Sequence, residues 1–459
     1  MVHLGLGAFF RSHGALVIEE ACQSAGGDWG VIGASLRSPD IRDRLAPQDF
    51  VYTAVEMAPD GQSRRVVNVL SDVLFAPGDP EALVARMAAP SVRIVSLTIT
   101  EKGYCHVPSS GALDREHAEI QHDVANPLPR SAIGFIVRAL QARHRAGIRP
   151  FTVLSCDNLP GNGYVTRSVV IGLAELIDPV LAEWISDEVR FPATMVDRIV
   201  PATTDEGIRN LAAETGRLDL APVFHEPFLQ WVIEEDFVDG ARPRFEHVPG
   251  VRMVRDVAPF EFMKIRMLNG THSALAYLGY LAGHETIAET VANPVFRDFI
   301  RNVWTAEIIP TLVPPDGIDL QQYANELLDR YANPAIRHRT WQIAMDGSQK
   351  LPQRILGTIR DNVAAGRPSN GLFLAVAAWI RYVGGMDEQG QPIDVRDPHA
   401  KRLRAMLEQA RDPSEKVDAV LSVAEVFGPE VAPGIRAGVL AAYDALVATG
   451  SAESARTVA

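Results

Sequence analysis

Apolar and polar positions follow two different patterns along the chain. In the first half, short apolar runs that suit buried strands are separated by stretches of helical periodicity. These runs cover residues 2–5, 29–36, 93–100 and 151–156, and helical stretches are predicted at 12–25, 81–89, 131–146 and 165–188. Because strands alternate with helices of this length, the first half predicts βαβ units and a parallel sheet.

From about residue 258, almost every periodic stretch is helical. The predicted helices cover residues 260–282, 285–309, 319–331, 351–365, 370–384, 398–410, 414–426 and 434–449. Prolines and glycines occupy the breaks, and residues 449–459 are expected to fray. We therefore predict an α/β plus α fold. A Rossmann-type, doubly wound dinucleotide-binding domain would cover residues 1–252, and a mainly helical substrate and catalytic domain would cover 253–459.

Composition narrows the classes of protein that the chain can belong to. Charged residues are 22% of the 459 and the formal net charge is −13, which argues against a general nucleic-acid binder. The longest apolar stretch, residues 371–380, is shorter than the ~18 residues that a membrane span needs. Three widely spaced cysteines and the lack of a secretory signal pattern favour a reducing, cytoplasmic location. No HExxH or CxxC motif occurs, so we expect no metal site.

The first strand is followed by a glycine-containing junction with a helix. Gly5 and Gly7 would let the main chain approach a phosphate, but Phe10 stands where a GxGxxG motif has its third glycine. A dinucleotide site and a generic strand-to-helix turn both fit. The strand is also short, which is compatible with native residues missing before Met1. Arg37, after the second strand, suits either a 2′-phosphate or a solvated surface charge, so the residues favour NAD while leaving NADP open.

Two later strands end in polar clusters. Thr98 and Thr100 precede Glu101-Lys102-Gly103, and Asp157-Asn158 follows the other strand. Because ligands bind beyond the carboxyl ends of parallel strands, the two clusters point to one cleft. The alternative is ordinary turn chemistry, since Asp, Asn, Pro and Gly all favour turns.

The start of the helical half is rich in polar groups. On a straight helix, Lys264, Leu268 and His272 would share one face, at positions i, i+4 and i+8. Asn269-Gly270 is poor helix sequence in mid-helix, which invites a functional explanation. A surface lysine and a hydrogen-bonded histidine beside a kink would also fit.

Together these segments resemble the mannitol 2-dehydrogenase family of polyol-specific long-chain dehydrogenases. Further matching runs cover residues 191–201, 226–231, 333–337 and 339–352, so the resemblance extends over essentially the whole chain. Within the family, residues 101–104 and 337–354 look most like fructuronate reductases, which are also called D-mannonate oxidoreductases.

The resemblance implies roles for individual residues. Lys264 matches the general acid/base, Asn158 and Asn269 match the pair that hydrogen-bonds the reacting oxygen, and His272 matches a substrate contact. The implied substrate-binding residues are Asp197, Arg337, Lys350 and Lys102, and Glu261 matches an acid at a proton channel. The implied cofactor contacts are Gly5, Gly7, Phe9, Arg11, Arg37, Thr98 and Thr100. The family's usual His-Arg-Ala-His is Phe10-Arg11-Ser12-His13 here.

The function expected from this resemblance is NAD(H)-dependent interconversion of a secondary alcohol and a ketone, without a metal. The leading substrate is D-fructuronate, which is reduced to D-mannonate, because several cations could bind a carboxylate. The alternative is a mannitol- or D-arabinitol-type polyol 2-dehydrogenase. A non-catalytic NAD-binding relative is a third possibility. The expected partner is a small sugar acid or polyol, with no nucleic acid and no membrane, and the oligomeric state is left open.

Overall fold

A computed structural model describes residues 1–108 and 110–459. The chain divides into two compact units, Met1–Ala258 (unit 1) and Pro259–Ala459 (unit 2). The division falls a few residues beyond the predicted boundary at residue 252.

Unit 1 is built on a parallel sheet. Its strands are β1 (Val2–Leu4), β2 (Val31–Ser35), β3 (Tyr52–Ala58), β4 (Gly61–Val67), β5 (Leu70–Phe75), β6 (Ile94–Leu97), β7 (Thr152–Ser155), β8 (Thr194–Asp197), β9 (Val223–His225), β10 (Gln230–Glu234) and β11 (Val251–Val254). Five of them form a sheet of order β5-β2-β1-β6-β7 in which every pair is parallel. This is the doubly wound order, and its topological switch point lies between β1 and β6.

Two three-stranded sheets, β4-β3-β9 and β11-β10-β8, complete unit 1. The sequence pattern misses the β3–β4 hairpin. Most of β4 is exposed and polar, so it has no apolar alternation to reveal it. By contrast, β6 and β7 are buried along their whole length, which explains why apolar runs predict them well.

The helices of unit 1 lie between and after the strands. They are α1 (Ala8–Ser12), α2 (Gly14–Ala25), α3 (Asp40–Leu45), α4 (Pro80–Ala88), α5 (Ala118–Ala125), α6 (Ala132–Arg145), α7 (Asn162–Ile177), α8 (Pro179–Glu188) and α9 (Asp205–Thr215). The single helix predicted over 165–188 is two helices. Asp178 ends α7 and accepts hydrogen bonds from Val180 N and Leu181 N, and Pro179 begins α8.

Unit 2 is mainly helical, and the predicted fold class is confirmed. Its α-helices are α10 (Ala258–Met263), α11 (Thr271–Leu281), α12 (Ile287–Ala292), α13 (Pro294–Asn302), α14 (Leu320–Tyr331), α15 (Thr340–Ala344), α16 (Gly347–Leu351), α17 (Gly357–Ala364), α18 (Asn370–Val383), α19 (Ala400–Gln409), α20 (Pro413–Leu421), α21 (Ala424–Thr449) and α22 (Ser451–Val458). Within the described residues, three π-helical turns interrupt them, at Lys264–Gly270, Val303–Ile308 and Pro352–Leu356.

The C-terminal residues are ordered, so the predicted fraying is wrong. Helix α22 is anchored at its start, where Ser451 donates from its main-chain N–H and its hydroxyl to Glu388. At its other end, Asn302 donates to the carbonyl of Val458. These tertiary hydrogen bonds outweigh the weak helix propensity of a small, polar segment.

One helical segment of the described chain, Val431–Thr449, is long and apolar enough to cross a membrane by length and composition alone. Within it, Ile435, Val439, Tyr443 and Leu446 are buried and recur at helical spacing in the core of unit 2. This spacing is that of an amphipathic helix packed on a folded domain.

Candidate active site

The glycine turn after β1 lies at the switch point of the parallel sheet. Gly5 has a φ of +92°, and a Cβ at this position would lie 2.1 Å from the carbonyl oxygen of Thr98. The hydroxyl of Thr98 donates to Gly5 O at 2.8 Å, and Gly7 N donates to Gly5 O at 2.7 Å. The turn therefore requires glycine at position 5. It also exposes main chain at the place where Rossmann domains bind a dinucleotide.

Asp157 ties together the two polar clusters that follow β6 and β7. Its carboxylate accepts hydrogen bonds from Ile99 N and Thr100 N, both at 2.9 Å, and from the hydroxyl of Tyr104 at 2.7 Å. Burial raises the pKa of Asp157, and these three hydrogen bonds oppose the shift. The segments that follow β6 and β7, which were predicted to share one cleft, are thus linked at one edge of the parallel sheet. For the cluster that contains Asp157, the sequence left ligand binding and ordinary turn chemistry open, and it did not predict that this side chain links the two strand ends.

Three other predicted cofactor contacts are engaged within unit 1. The Arg11 guanidinium is buried, donates to Ala221 O and lies over the ring of Tyr52 at 5.3 Å. Phe9 stacks on His13, with the ring centroids 5.0 Å apart. Arg37 is 76% exposed and forms an ion pair with Glu119. Direct contacts of these side chains with a cofactor stay predictions.

The remaining predicted residues of unit 1 lie at or near strand ends. Asn158 is exposed and directly follows Asp157. Asp197 is buried at the end of β8, where it pairs with Gln230 of β10. Lys102 is exposed in the 3₁₀ turn Glu101–Tyr104. The substrate and oxygen contacts proposed for these residues remain untested by the geometry of unit 1.

One group of three potential metal ligands occurs among the described residues. Ligand atoms of Cys105, His117 and Glu119 lie within 4.8 Å of one another. His117 Nδ1 already accepts from Glu119 N, and the Glu119 carboxylate pairs with Arg37. Burial raises the pKa of the Cys105 thiol to about 12. Because these groups are engaged or protonated, the cluster gives no ground for revising the expectation that no metal is used.

In unit 2, the segment that carries Lys264, Asn269 and His272 is not a regular helix. Residues Lys264–Gly270 form a π-helical turn, in which hydrogen bonds run from i to i+5. The expectation that Lys264, Leu268 and His272 align at 3.6 residues per turn is therefore wrong. The three predicted functional residues are nonetheless buried: Lys264 is 5% exposed, Asn269 is 8% exposed and His272 is 8% exposed.

The weak helix former Gly270 has a packing explanation. A Cβ on Gly270 would lie 2.6 Å from the carbonyl oxygen of Arg354, which belongs to the π-helical turn Pro352–Leu356. Two π-helical turns thus pack main chain to main chain at this glycine. The Asn269-Gly270 pair permits this close approach, which a straight helix with a larger residue would prevent.

Side chains from distant helices satisfy the carbonyls of the first π-helical turn. Met267 O accepts from the indole Nε1 of Trp304 at 3.0 Å and from the hydroxyl of Thr271. Leu268 O accepts from the hydroxyl of Tyr331 at 2.8 Å. Trp304 itself lies in the second π-helical turn. Because buried carbonyls need partners, these donors stabilise the turn that places Lys264 and Asn269.

His272 lies in an aromatic cluster. Its ring stacks on Tyr331, with centroids 5.2 Å apart, and meets the edge of His338 at 4.7 Å. Its Nε2 has no hydrogen-bond partner in the part of the chain that the structure describes. Burial lowers the pKa of His272 well below its usual range, and His338, Arg354, Arg330 and Lys350 lower it further. The imidazole is therefore neutral at pH 7 and has a nitrogen available to a ligand.

Two cations lie beside this cluster, and the sequence reasoning singled out only one of them. Lys350 Nζ donates to the carbonyls of Ile343 and Met345. Burial, followed by the charge of Arg354, lowers the pKa of Lys350 to about 8, while Asp346 and Asp397 oppose the shift. Arg354 was not predicted as a site residue, although it stands four residues after Lys350 in the run that resembles fructuronate reductases.

Arg337, predicted to bind substrate, lies elsewhere on unit 2. Its side chain is 70% exposed and forms an ion pair with Glu285, which also pairs with Arg339. Lys350 is close enough to His272 for its charge to lower the pKa of the histidine, whereas Arg337 lies on the surface beside an acid. Glu261 is partly buried in α10, three residues before Lys264.

Comparison with known proteins gives matches over the whole chain. Residues 1–247 match the family model described as the mannitol dehydrogenase Rossmann domain, and residues 256–447 match the mannitol dehydrogenase C-terminal domain. A D-mannonate oxidoreductase of Escherichia coli is 46% identical over 99% of this chain and 94% of its own length. A mannitol 2-dehydrogenase of Aspergillus fumigatus is 41% identical over 94% of this chain and 87% of its own.

A solved structure is also similar. The mannitol 2-dehydrogenase of Pseudomonas fluorescens, in a ternary complex with NAD and D-mannitol, aligns with a TM-score of 0.90 at 40% identity. The alignment covers 100% of this chain and 93% of that one.

Proposed function

The chain belongs to the mannitol dehydrogenase family and is an oxidoreductase, and from this premise we propose that it reduces D-fructuronate to D-mannonate with NADH. The chain is an NAD(H)-dependent enzyme that interconverts a secondary alcohol and a ketone on a sugar acid or polyol. We choose a sugar acid over a polyol as the substrate because of the charge around His272.

The observation that carries the choice of substrate is a cationic site in unit 2. Lys350 lies next to His272 and donates to main-chain carbonyls, so no carboxylate neutralises it by direct contact among the described residues. Arg354 lies close enough to lower the pKa of both Lys350 and His272. Partly buried cations without a direct counter-ion are costly, and an anionic ligand removes the cost. A hexuronate carries such an anion and a polyol does not.

The residues of unit 1 fit the cofactor. Gly5 admits no side chain, and the main chain at Gly5–Gly7 and at Thr98–Thr100 is fixed by hydrogen bonds at the switch point of the sheet. Such exposed main chain suits a pyrophosphate, and it would hold NAD(H) at Gly5, Gly7, Thr98 and Thr100. When bound, NAD(H) supplies or accepts the hydride.

The proton chemistry is assigned to Lys264. In reduction, the Lys264 ammonium donates a proton to the carbonyl oxygen that becomes the hydroxyl of the product, and in oxidation the neutral amine removes it. The Asn269 amide donates a hydrogen bond to the same oxygen as negative charge develops there, an interaction typically worth ~3–4 kcal/mol. The neutral His272 ring orients the substrate through its Nε2. Lys264 and Asn269 lie in the same π-helical turn, and both are buried.

Initial rates with a substrate panel test this proposal. The panel contains fructuronate and fructose with NADH and NADPH, and mannonate, mannitol and arabinitol with NAD and NADP. We expect the highest kcat/KM with fructuronate and NADH. Efficient reduction of fructose without turnover of fructuronate would instead support the polyol 2-dehydrogenase, which the likeness to the D-mannitol complex favours. Tight NADH binding without turnover of any substrate would indicate a non-catalytic relative.

A further inference from the structure

Resting on the proposed function, we infer that Arg354 binds the substrate carboxylate and thereby sets the preference for a sugar acid over a neutral ketose or polyol. Arg354 lies at the π-helical turn Pro352–Leu356, next to the turn that carries Lys264 and Asn269. The sequence reasoning assigned this role to Arg337, among other cations.

The Arg354 guanidinium is a partly buried charge that the described part of the chain does not neutralise. The side chain is partly buried, and its hydrogen bond within the described structure is from Nη1 to the hydroxyl of Ser273 at 3.1 Å. No carboxylate pairs with it among the described residues, whereas Arg266 in the same unit pairs with Asp361 at 2.6 Å. Burial lowers the pKa of Arg354, which reports the cost of holding this charge away from water. An anion from outside the chain would remove that cost.

The Arg354 guanidinium is hydrogen-bonded to Ser273, which is close in the chain to the proposed reacting groups. Asn269 lies near the end of the π-helical turn, and Ser273 lies four residues later, at the start of α11. The two residues are therefore within about one helical turn of each other along the chain. In fructuronate the carboxylate stands at the end of the carbon chain remote from the ketone. With its ketone at Asn269, fructuronate would therefore place its carboxylate at Ser273 and Arg354.

The groups around Arg354 suit a carboxylate ligand. Lys350 provides a second cation, and the neutral His272 ring and the Ser273 hydroxyl provide uncharged hydrogen-bonding groups. An arginine fork matches a carboxylate in two parallel hydrogen bonds, and a lysine adds a point charge. A neutral ketose would leave the Arg354 charge without a counter-ion, so binding would discriminate against it.

The test compares two substrates that share a ketone and differ in the carboxylate. Initial rates with NADH are measured for fructuronate and fructose in the wild type, Arg354→Gln and Arg337→Gln. In Arg354→Gln the ratio of kcat/KM for fructuronate to that for fructose should fall about 100-fold, mainly through KM for fructuronate. In Arg337→Gln the ratio should change by less than about threefold, because an exposed ion pair contributes little. NADH affinity, measured by fluorescence titration, should stay unchanged in both.

The outcomes separate this inference from the proposed function. If the wild type prefers fructuronate and Arg354→Gln keeps that preference, Arg354 is not the carboxylate site, while the proposed function stands. If Arg354→Gln loses activity equally on both substrates, the residue acts on the site as a whole and the inference is overturned. A wild type that reduces fructose but not fructuronate overturns both. Should Arg354→Gln fail to fold, Arg354→Lys replaces it, and a fall confined to fructuronate is still required.

Discussion

The two units hold their candidate ligand-binding groups by different means. At the switch point of unit 1, the groups are main-chain atoms, and a missing side chain at Gly5 makes room for them. In unit 2, the groups are side chains on a π-helical turn, and donors from distant helices, Trp304 and Tyr331, stabilise that turn. The first arrangement depends on the missing side chain of one glycine, and the second depends on hydrogen bonds that several side chains donate.

This difference predicts how each region fails. In unit 1, any side chain at the critical position should distort the main chain and weaken cofactor binding. In unit 2, removal of a reacting group should stop turnover while the fold stays intact, and removal of a supporting donor should weaken the chemistry in part. Substitutions in each unit test these expectations.

The first change, Lys264→Ala, removes the proposed general acid/base. We expect kcat to fall about 10³-fold or more, since positioned proton transfer contributes ~10²–10⁴-fold, with NADH affinity unchanged. Initial rates and fluorescence titration check the two parts. Lys401→Ala, at an exposed lysine of the same unit, is the control and should keep wild-type activity. A kcat for Lys264→Ala within a few-fold of the wild type would remove this lysine from the proton-transfer role.

The second change, Gly5→Ala, places a methyl group against Thr98 O. A positive φ in a residue with a side chain costs ~1–3 kcal/mol by itself, and the 2.1 Å approach adds to it, so we expect a loss of about 3 kcal/mol or more. Urea unfolding measures the loss, and NADH titration should show weaker binding.

Gly216→Ala is the matched control for this change. Gly216 also has a positive φ, of +68°, in the left-handed helical region, but a Cβ there would meet no described atom within 4 Å. We expect it to lose only the conformational part, about 1 kcal/mol, with NADH affinity intact. Equal losses of stability and affinity in the two variants would contradict the view that close packing at the switch point explains Gly5.

The third change, Trp304→Phe, keeps an aromatic ring but removes the donor to Met267 O. We expect a fall of about tenfold in kcat and a loss of ~1–2 kcal/mol of stability, because a buried carbonyl loses a partner.

Trp379→Phe provides the control in the same unit. Trp379 is fully buried, and its indole nitrogen has no hydrogen-bond partner among the described residues. The same substitution should therefore leave kcat close to the wild type. If both variants lose activity to the same extent, the ring and not the hydrogen bond supports the π-helical turn.

The smallest effect at neutral pH is expected from the titration of His338 beside His272, because this group gains a proton only at lower pH. Burial lowers its pKa from 6.5 to about 4 in the folded chain. Between these values the unfolded chain binds a proton that the folded His338 does not, so the free energy of unfolding should fall as the pH falls from 6.5 to 4. Urea unfolding across this range should give a slope that is smaller by about one proton in His338→Gln. Identical slopes in the two proteins, referenced to pH 8, would contradict this.

Much of unit 1 could be predicted from the sequence, because its features are local. The buried strands β6 and β7 read as apolar runs, and the glycine turn follows β1 directly. The exposed β4 carries no such pattern and was missed. For Asp157, the sequence left a binding role and turn chemistry open, because its three hydrogen-bond donors belong to residues more than fifty positions earlier.

In unit 2, the sequence identified the segment that carries the proposed chemistry but not its geometry. The resemblance singled out Lys264, Asn269 and His272, while periodicity predicted a straight helix in place of the π-helical turn. That turn depends on Trp304 and Tyr331, which lie far along the chain, and no local pattern reports their contact.

The sequence by itself determined the α/β plus α fold class, the family and the choice of Lys264, Asn269 and His272 as the residues proposed to act. The tertiary structure alone decided where residues of the same type lie and what surrounds them. Arg337 and Arg354 are the same amino acid, yet one is exposed and pairs with Glu285 while the other lies beside Lys350 and His272. The physical reason is that propensity and periodicity act between near neighbours in the chain. The charge and solvation of a site are set by residues that only folding brings together.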